Sequence, residues 1–231
     1  PERGNAVLAW WAIRNMSVAH NKAYEIIHRL QPHAKVGSAN NLSAFVPSRP
    51  NNILDRALAK FSWYWHNQWW LDHTHQAQDF IGLNYYFYHP FRWRWTADLT
   101  DFLRPAVTPG ATISDMGWEI QPAGLGILLE WLRRYRRPII ITENGIADAA
   151  DRHRGAFIRD HVKQIATALQ TGVDIRGYLH WSLLDNFEWR DGFSPRFGLV
   201  SVDYHTMQRQ PRPSAYLYRD IIQTRGANVS I

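Results

Sequence analysis

The 231-residue sequence predicts an α/β fold, a parallel sheet covered by helices, and three observations carry that reading. Short β-branched runs alternate with longer amphipathic stretches, which is the pattern of successive β-α units. The run Ile139-Ile140-Ile141-Thr142 is apolar on both alternating faces, as a strand covered on both sides requires. No internal repeat, low-complexity tract or Gly/Ser linker interrupts the chain, so residues 1–231 read as a single domain.

The elements follow in order. Val7 to Leu30 predicts a helix, with apolar side chains at Leu8, Trp11, Ile13, Val18, Ile26, Ile27 and Leu30. Pro32 ends it. A short strand is expected over Lys35 to Asn40, then a proline-containing loop, then an aromatic helix from Asn52 to Leu71. Asp79 to Tyr86 reads as the second strand, and a long irregular loop leads to a helix from Pro122 to Arg136. The third strand is Ile139 to Thr142, and the helix Gly155 to Gln170 after it is closed by Gly172. Ile175 to Ser182 is the fourth strand, and a last helix, Ser214 to Thr224, is begun by Pro213. A closed (β/α)₈ barrel needs eight strands, typically in ~250 residues. Four β-α units cannot close one.

Composition narrows the class. With 45% hydrophobic and 20% charged residues the chain can bury a sizeable core. It has no apolar run of 18 residues, so no transmembrane helix is expected. The opening Pro-Glu-Arg-Gly-Asn is no signal segment, and without an initiator Met the true N-terminus is expected upstream. Zero cysteine excludes disulfide and thiolate chemistry and points to the cytoplasm. Net charge is +6, but basic residues are scattered apart from Arg133-Arg134 with Arg136-Arg137, and Arg92-Trp93-Arg94-Trp95. The first group ends a helix, where cations complement the dipole, so a solvated surface is favoured over nucleic-acid binding. Twelve Trp are a weak pointer to carbohydrate, because flat aromatic faces pack on the C–H faces of sugar rings.

The third strand ends in Glu143, followed by Asn144 and Gly145, which turn the chain. In an α/β barrel, residues just past a strand's C-terminal end face the active site, so Glu143 is a carboxylate offered on a rigid support. Four stretches then stand in order: DFIGLNYY (79–86), DMGWEIQPAGL (115–125), IITENG (140–145) and GYLHWSLLDNFEWRDGFSPRFGLVSVDY (177–204). Their order and spacing resemble the C-terminal half of glycoside hydrolase family 1, the β-glucosidase and β-galactosidase family, from about Asn15 to Ile222.

That resemblance implies a (β/α)₈ TIM barrel of which this chain carries about strands five to eight. It implies a retaining β-glycosidase acting on terminal non-reducing β-D-glycosides or oligosaccharides by double displacement through a covalent glycosyl-enzyme. Glu143 matches the nucleophile, and Asn84 and Tyr86 match the strand-six pair whose tyrosine aims it. Tyr85 alternates to the opposite side and is expected to pack. Trp181 matches the platform under the sugar, joined to Ser182 by a cis peptide. Glu188 and Trp189 match the pair that hydrogen-bonds the outer glycone hydroxyls, where a carboxylate would repel a 6-phosphate. Phe197 matches an aromatic lining the glycone pocket. No cofactor, metal, nucleic acid or membrane is implied.

Blander roles suit other residues. Asp185 and Asn186 are expected to brace their loop, and His66, His73, His75 and His180 to be structural. Arg92 to Trp95 falls at the mouth of the family's pocket and would either shape the aglycone site or be solvated loop. The chain departs from the family in lacking the Asn-Glu-Pro motif that carries the acid/base. Its first helix, with Asn15 and His20, resembles the one following strand four. An N-terminal half bearing the acid/base glutamate is therefore the expected partner, covering inward candidates Phe80, Ile140 and Leu179. The alternative is a sugar-binding pseudoenzyme that never had the acid/base.

Overall fold

The structure, a computed structural model, describes residues 5–94, 108–227 and 229. Helix α1, Ala6–Leu30, begins where the Asn5 side chain accepts hydrogen bonds from the Val7 and Leu8 amides. Strand β1, Ala39–Pro47, precedes helix α2, Ile53–Trp63, which Asn52 caps in the same way. A π turn, Tyr64–Gln68, joins it to α3, Trp69–Thr74. Then come β2 (Ile81–Phe91), α4 (Pro122–Leu132), β3 (Ile139–Gly145), α5 (Arg154–Gln170) and β4 (Ile175–Trp181). A short antiparallel ribbon, β5 (Val200–Val202) with β6 (Arg209–Pro211), precedes α6, Pro213–Gln223.

The four main strands form one sheet in the order β1-β2-β3-β4, every neighbour parallel. Alternation sends Ile81, Leu83, Tyr85, Ile139 and Ile141 to one face, where they meet Leu125, Leu128, Leu129 and Leu132 of α4 and Ile165 and Ala168 of α5. This is the main core. Among the described residues, no helix is long and apolar enough to cross a membrane.

The structure corrects the expected boundaries where pairing overrides local pattern. The first strand starts at Ala39 rather than Lys35 and runs on to Pro47, through the expected loop. Residues 35–38 are drawn aside by side chains: Asp79 accepts from the Val36 amide and Gln78 from the Ser38 amide. β2 likewise continues to Phe91, because β1 runs beside it to the end. The aromatic helix is not continuous. Its π turn swings Asn67 into the sheet, where the fully buried amide accepts from the Ser43 N–H (3.1 Å) and donates to the Ser43 carbonyl (2.8 Å). After α4 the arginines lie in a 3₁₀ turn, Arg133–Tyr135, with Arg133, Arg134 and Arg136 exposed. On the sheet's other face Leu179 is 56% exposed, and Phe80 and Ile140 are half-buried.

Candidate active site

All four strands present their C-terminal ends to the same side, which collects Tyr86, Glu143 and Trp181 there. Two irregularities set the fine geometry. The β2–β3 register shifts after Leu83, so Asn84 lies opposite Glu143. Against β1, Leu42 faces Tyr85 and Ser43 faces Phe87, which leaves Tyr86 as a bulge. Its hydroxyl donates to Glu143 Oε2 at 2.9 Å.

The flanks of Glu143 are pinned. Thr142 Oγ1 donates to Asn84 Oδ1 at 2.6 Å. The buried Asn144 donates to the Tyr85 carbonyl at 2.8 Å and accepts from the Tyr178 hydroxyl at 3.0 Å. Gly145 is required by proximity: a Cβ there would overlap the Trp181 carbonyl, so β3 and β4 can approach closely only at a glycine. Burial, reinforced by the Glu143 charge and the hydrogen bond to it, pushes the Tyr86 phenol far above its ordinary range. Tyr86 therefore keeps its proton and remains the donor.

Across the sheet, the Trp181–Ser182 peptide is cis, and Trp181 Nε1 donates to Glu188 Oε1 at 3.2 Å. Glu188 is half-buried. Burial raises its carboxyl pKa, with like charge from Glu143 and Asp191 adding and hydrogen bonds from Trp181 and Asn186 opposing. Phe197, only 2% exposed, meets the Tyr86 ring edge-on at 6.3 Å, so it backs the site more than it lines it.

The structure thus brings together six of the seven residues singled out from sequence: Glu143, Tyr86, Asn84, Trp181, Glu188 and Phe197. Trp189 stands apart. It lies in the 3₁₀ turn Trp189–Asp191 and is 82% exposed. Sequence reasoning missed Trp118, which packs against Tyr86 at 6.0 Å, Phe87 at 4.7 Å and Phe197 at 6.0 Å. Its signal was present in the motif DMGWEIQPAGL, with nothing local to show what it touches.

Asp185 braces the loop after β4. It accepts a two-pronged ion pair from Arg212, another from Arg196, and the amides of Gly198 and Val202. Burial alone would raise its pKa, but the Arg212 hydrogen bonds and charge outweigh it and hold the carboxyl low. Asn186 donates to Ser182 Oγ at 3.0 Å. His73 and His75 bond the carbonyls one turn back, at Trp69 and Leu71, and His66 lies 3.4 Å from Ser43 Oγ. His180 is buried among Phe157 and Tyr218. Among the described residues, no three His, Asp or Glu side chains could jointly hold a metal ion. Past β2, the Trp93 amide donates to the buried Asp55 at 2.8 Å, while Trp95 lies outside the described residues.

Two concavities lie elsewhere: one of about 550 Å³ is lined by Phe45, Ile53, Arg56 and Trp63, and another of about 480 Å³ by Trp10, Ile13, Phe61 and Trp65. Glu143 lines neither of them. A carboxylate held at a strand end, aimed by a tyrosine and faced by a tryptophan and a second carboxylate, is suited to attack an electrophilic carbon carrying hydroxyl neighbours.

The family model described as Glycosyl hydrolase family 1 matches residues 73–227. A β-galactosidase of Sulfolobus acidocaldarius is 53% identical over 114 residues, 49% of this chain and 23% of that protein. A β-galactosidase of Pyrococcus woesei is 29% identical over 98% of this chain and 53% of its own length. The solved β-glycosidase from Pyrococcus horikoshii superposes with a TM-score of 0.84 at 36% identity, over 94% of this chain and 54% of that one. The chain therefore spans about half of that structure, and no more than about half of these two relatives.

Proposed function

The chain belongs to glycosyl hydrolase family 1, and from that membership we propose that it supplies the nucleophile half of a retaining β-glycosidase. Glu143 attacks the anomeric carbon of a terminal β-D-glycoside, forming a glycosyl ester as the bond to the leaving oxygen breaks. An acid/base carboxylate protonates that oxygen, then deprotonates the water that displaces Glu143. We assign this group to the N-terminal half of the same barrel, with residues 1–231 as one domain forming strands five to eight. Tyr86 keeps Glu143 aimed, Asn84 and Trp181 hold the sugar, and Glu188 with Trp189 accepts from and packs on its outer hydroxyl edge. Phe197 backs the pocket. The reading includes a cytoplasmic role in carbohydrate metabolism, consistent with a chain free of cysteine.

One observation carries the reading: the Tyr86 hydroxyl, from a bulge within β2, donates at 2.9 Å to Glu143 near the end of the adjacent parallel strand β3, beside the Trp181–Glu188 pair. A module that only bound sugar would have no need of an aimed carboxylate. In the assembled enzyme, Glu143→Gln is expected to lower kcat by several orders of magnitude with glycoside affinity nearly unchanged. Near-parental turnover by that variant would refute the assignment.

A further inference from the structure

We propose that Trp118 is a positioning residue for Tyr86, and through it for the nucleophile; this rests on the function proposed above. Tyr86 has no partner in the register of β1 against β2, so the sheet does not fix its backbone as it fixes Tyr85. The direction of its ring must come from packing. Three rings supply it: Trp118 at 6.0 Å and 69°, Phe197 at 6.3 Å and 90°, and the adjoining Phe87 at 6.2 Å and 53°. Trp118 meets both of the others, Phe197 at 6.0 Å and Phe87 at 4.7 Å, so it ties the cluster together. Edge-to-face contacts of this kind hold a ring's tilt as well as its place.

Trp118 is itself held by the segment that follows Glu143. It ends a tight turn in which Ser114 N–H donates to the Trp118 carbonyl at 2.9 Å and Trp118 N–H donates to Ser114 Oγ at 3.2 Å. That turn is tied to the chain beyond β3: Asp115 N–H donates to the Ala147 carbonyl at 2.9 Å, and Ala149 N–H to Asp115 Oδ2 at 2.7 Å. Trp118 and Glu143 thus ride on one connected piece of backbone, and the ring reaches back to press Tyr86 toward the carboxylate. Besides Glu143, the groups bearing on the Tyr86 phenol electrostatically are Glu188 and Tyr178.

The test is a double-mutant cycle in the assembled enzyme with Tyr86→Phe, Trp118→Leu and the pair, using two aryl β-glycosides with different leaving groups. Trp118→Leu is expected to lower kcat at least 10-fold with little change in KM, and by the same factor for both aglycones. In the double variant the Trp118 effect should vanish, because Tyr86→Phe has already removed what it acts through. Trp118→Phe, which keeps a ring, should recover most of the rate and guards against misfolding of the leucine variant. Additive losses, an aglycone-dependent loss, or a loss carried by KM rather than kcat would overturn the inference while leaving Glu143 as nucleophile intact. A fully active Tyr86→Phe enzyme would sink both this inference and the proposed role of the Tyr86–Glu143 pair.

Discussion

Helices α4 and α1 are both amphipathic, yet they lie at opposite extremes of burial. In α4, Leu125, Leu128, Leu129 and Leu132 are all fully buried against the sheet. In α1, a helix of 25 residues, the only buried residue is Ser17, while Val7, Leu8, Trp11, Ile13 and Leu30 stand exposed. Sequence character accounts for part of this, since α4 is apolar almost throughout while α1 also carries Arg14, Asn15, Lys22 and Glu25. Partners account for the rest. α4 covers the finished face of a four-stranded sheet, whereas α1 leans mainly on α3, the turn after it and Asp79, through contacts such as His20 to the Ala77 carbonyl and His28 to Asp79. With Phe61 and Trp65, its first turns line an apolar groove. An exposed apolar surface of that extent marks an interaction site. The same contrast runs through the sheet, whose helix-facing side is dry while Leu179 and the carboxylates face outward.

The largest expected effect breaks that contrast directly. Residues 1–231 expressed alone should aggregate and should not turn over aryl β-glycosides. Adding the N-terminal half, in trans or by fusion, should restore both solubility and turnover, as read by sedimentation and hydrolysis assays. Multiple turnovers by this chain alone would mean that another carboxylate has taken the acid/base role.

A smaller effect sharpens the contrast in stability. Leu128→Ala in α4 is expected to cost about 2–5 kcal/mol by chemical denaturation of the assembled protein, as filled cores generally lose. Trp11→Ala should leave the α4-covered core of the assembled protein intact and instead weaken association with the N-terminal half, read as less complex by sedimentation. Equal losses of denaturation midpoint at the two sites, with association unchanged, would erase the distinction between finished and unfinished faces.

The smallest effect is one of pH, and it belongs to the dry side. Burial pulls His161 to about 4, against an opposing hydrogen bond with the Phe157 carbonyl. Burial and the nearby Arg154 and His161 pull His180 to about 3. The native state thus refuses protons that the unfolded chain accepts from pH 6.5 downward. Their contribution is whole above that pH and is lost as pH falls toward 4 and then 3. His161→Gln should therefore flatten the decline in denaturation midpoint between pH 7 and pH 5. An unchanged slope would show that His161 is not held neutral.

Much of the fold was legible because its strongest strands are locally marked. Ile139 to Thr142 is apolar on both faces, and the strand end that matters, Glu143 with Asn144 and Gly145, follows at once. β1 was misplaced because its own residues, Asn40, Asn41 and Ser43, carry no strand signal, and β2 supplies its order. The π turn at Tyr64–Gln68 was invisible because the same residues suit an α-helix, and only the reach of Asn67 to Ser43 distinguishes them. The three-residue strands of the ribbon are too short to show a period. In the site, residues fixed by strand position were found, while Trp118, placed by contacts distant in sequence, was not. Trp189, matched through its motif alone, stands in solvent in its own turn.

As the proposed nucleophile, Glu143 bonds the anomeric carbon of the sugar through a carboxylate oxygen. The measurement is incubation of the assembled enzyme with a 2-deoxy-2-fluoro β-glycoside carrying a good leaving group, followed by mapping of the labelled peptide by mass spectrometry. One sugar per chain is expected, on the peptide containing Ile139–Gly145, with the label on Glu143 and absent in Glu143→Gln. Label on Glu188 or on any other carboxylate, with Glu143 unmodified, would contradict it.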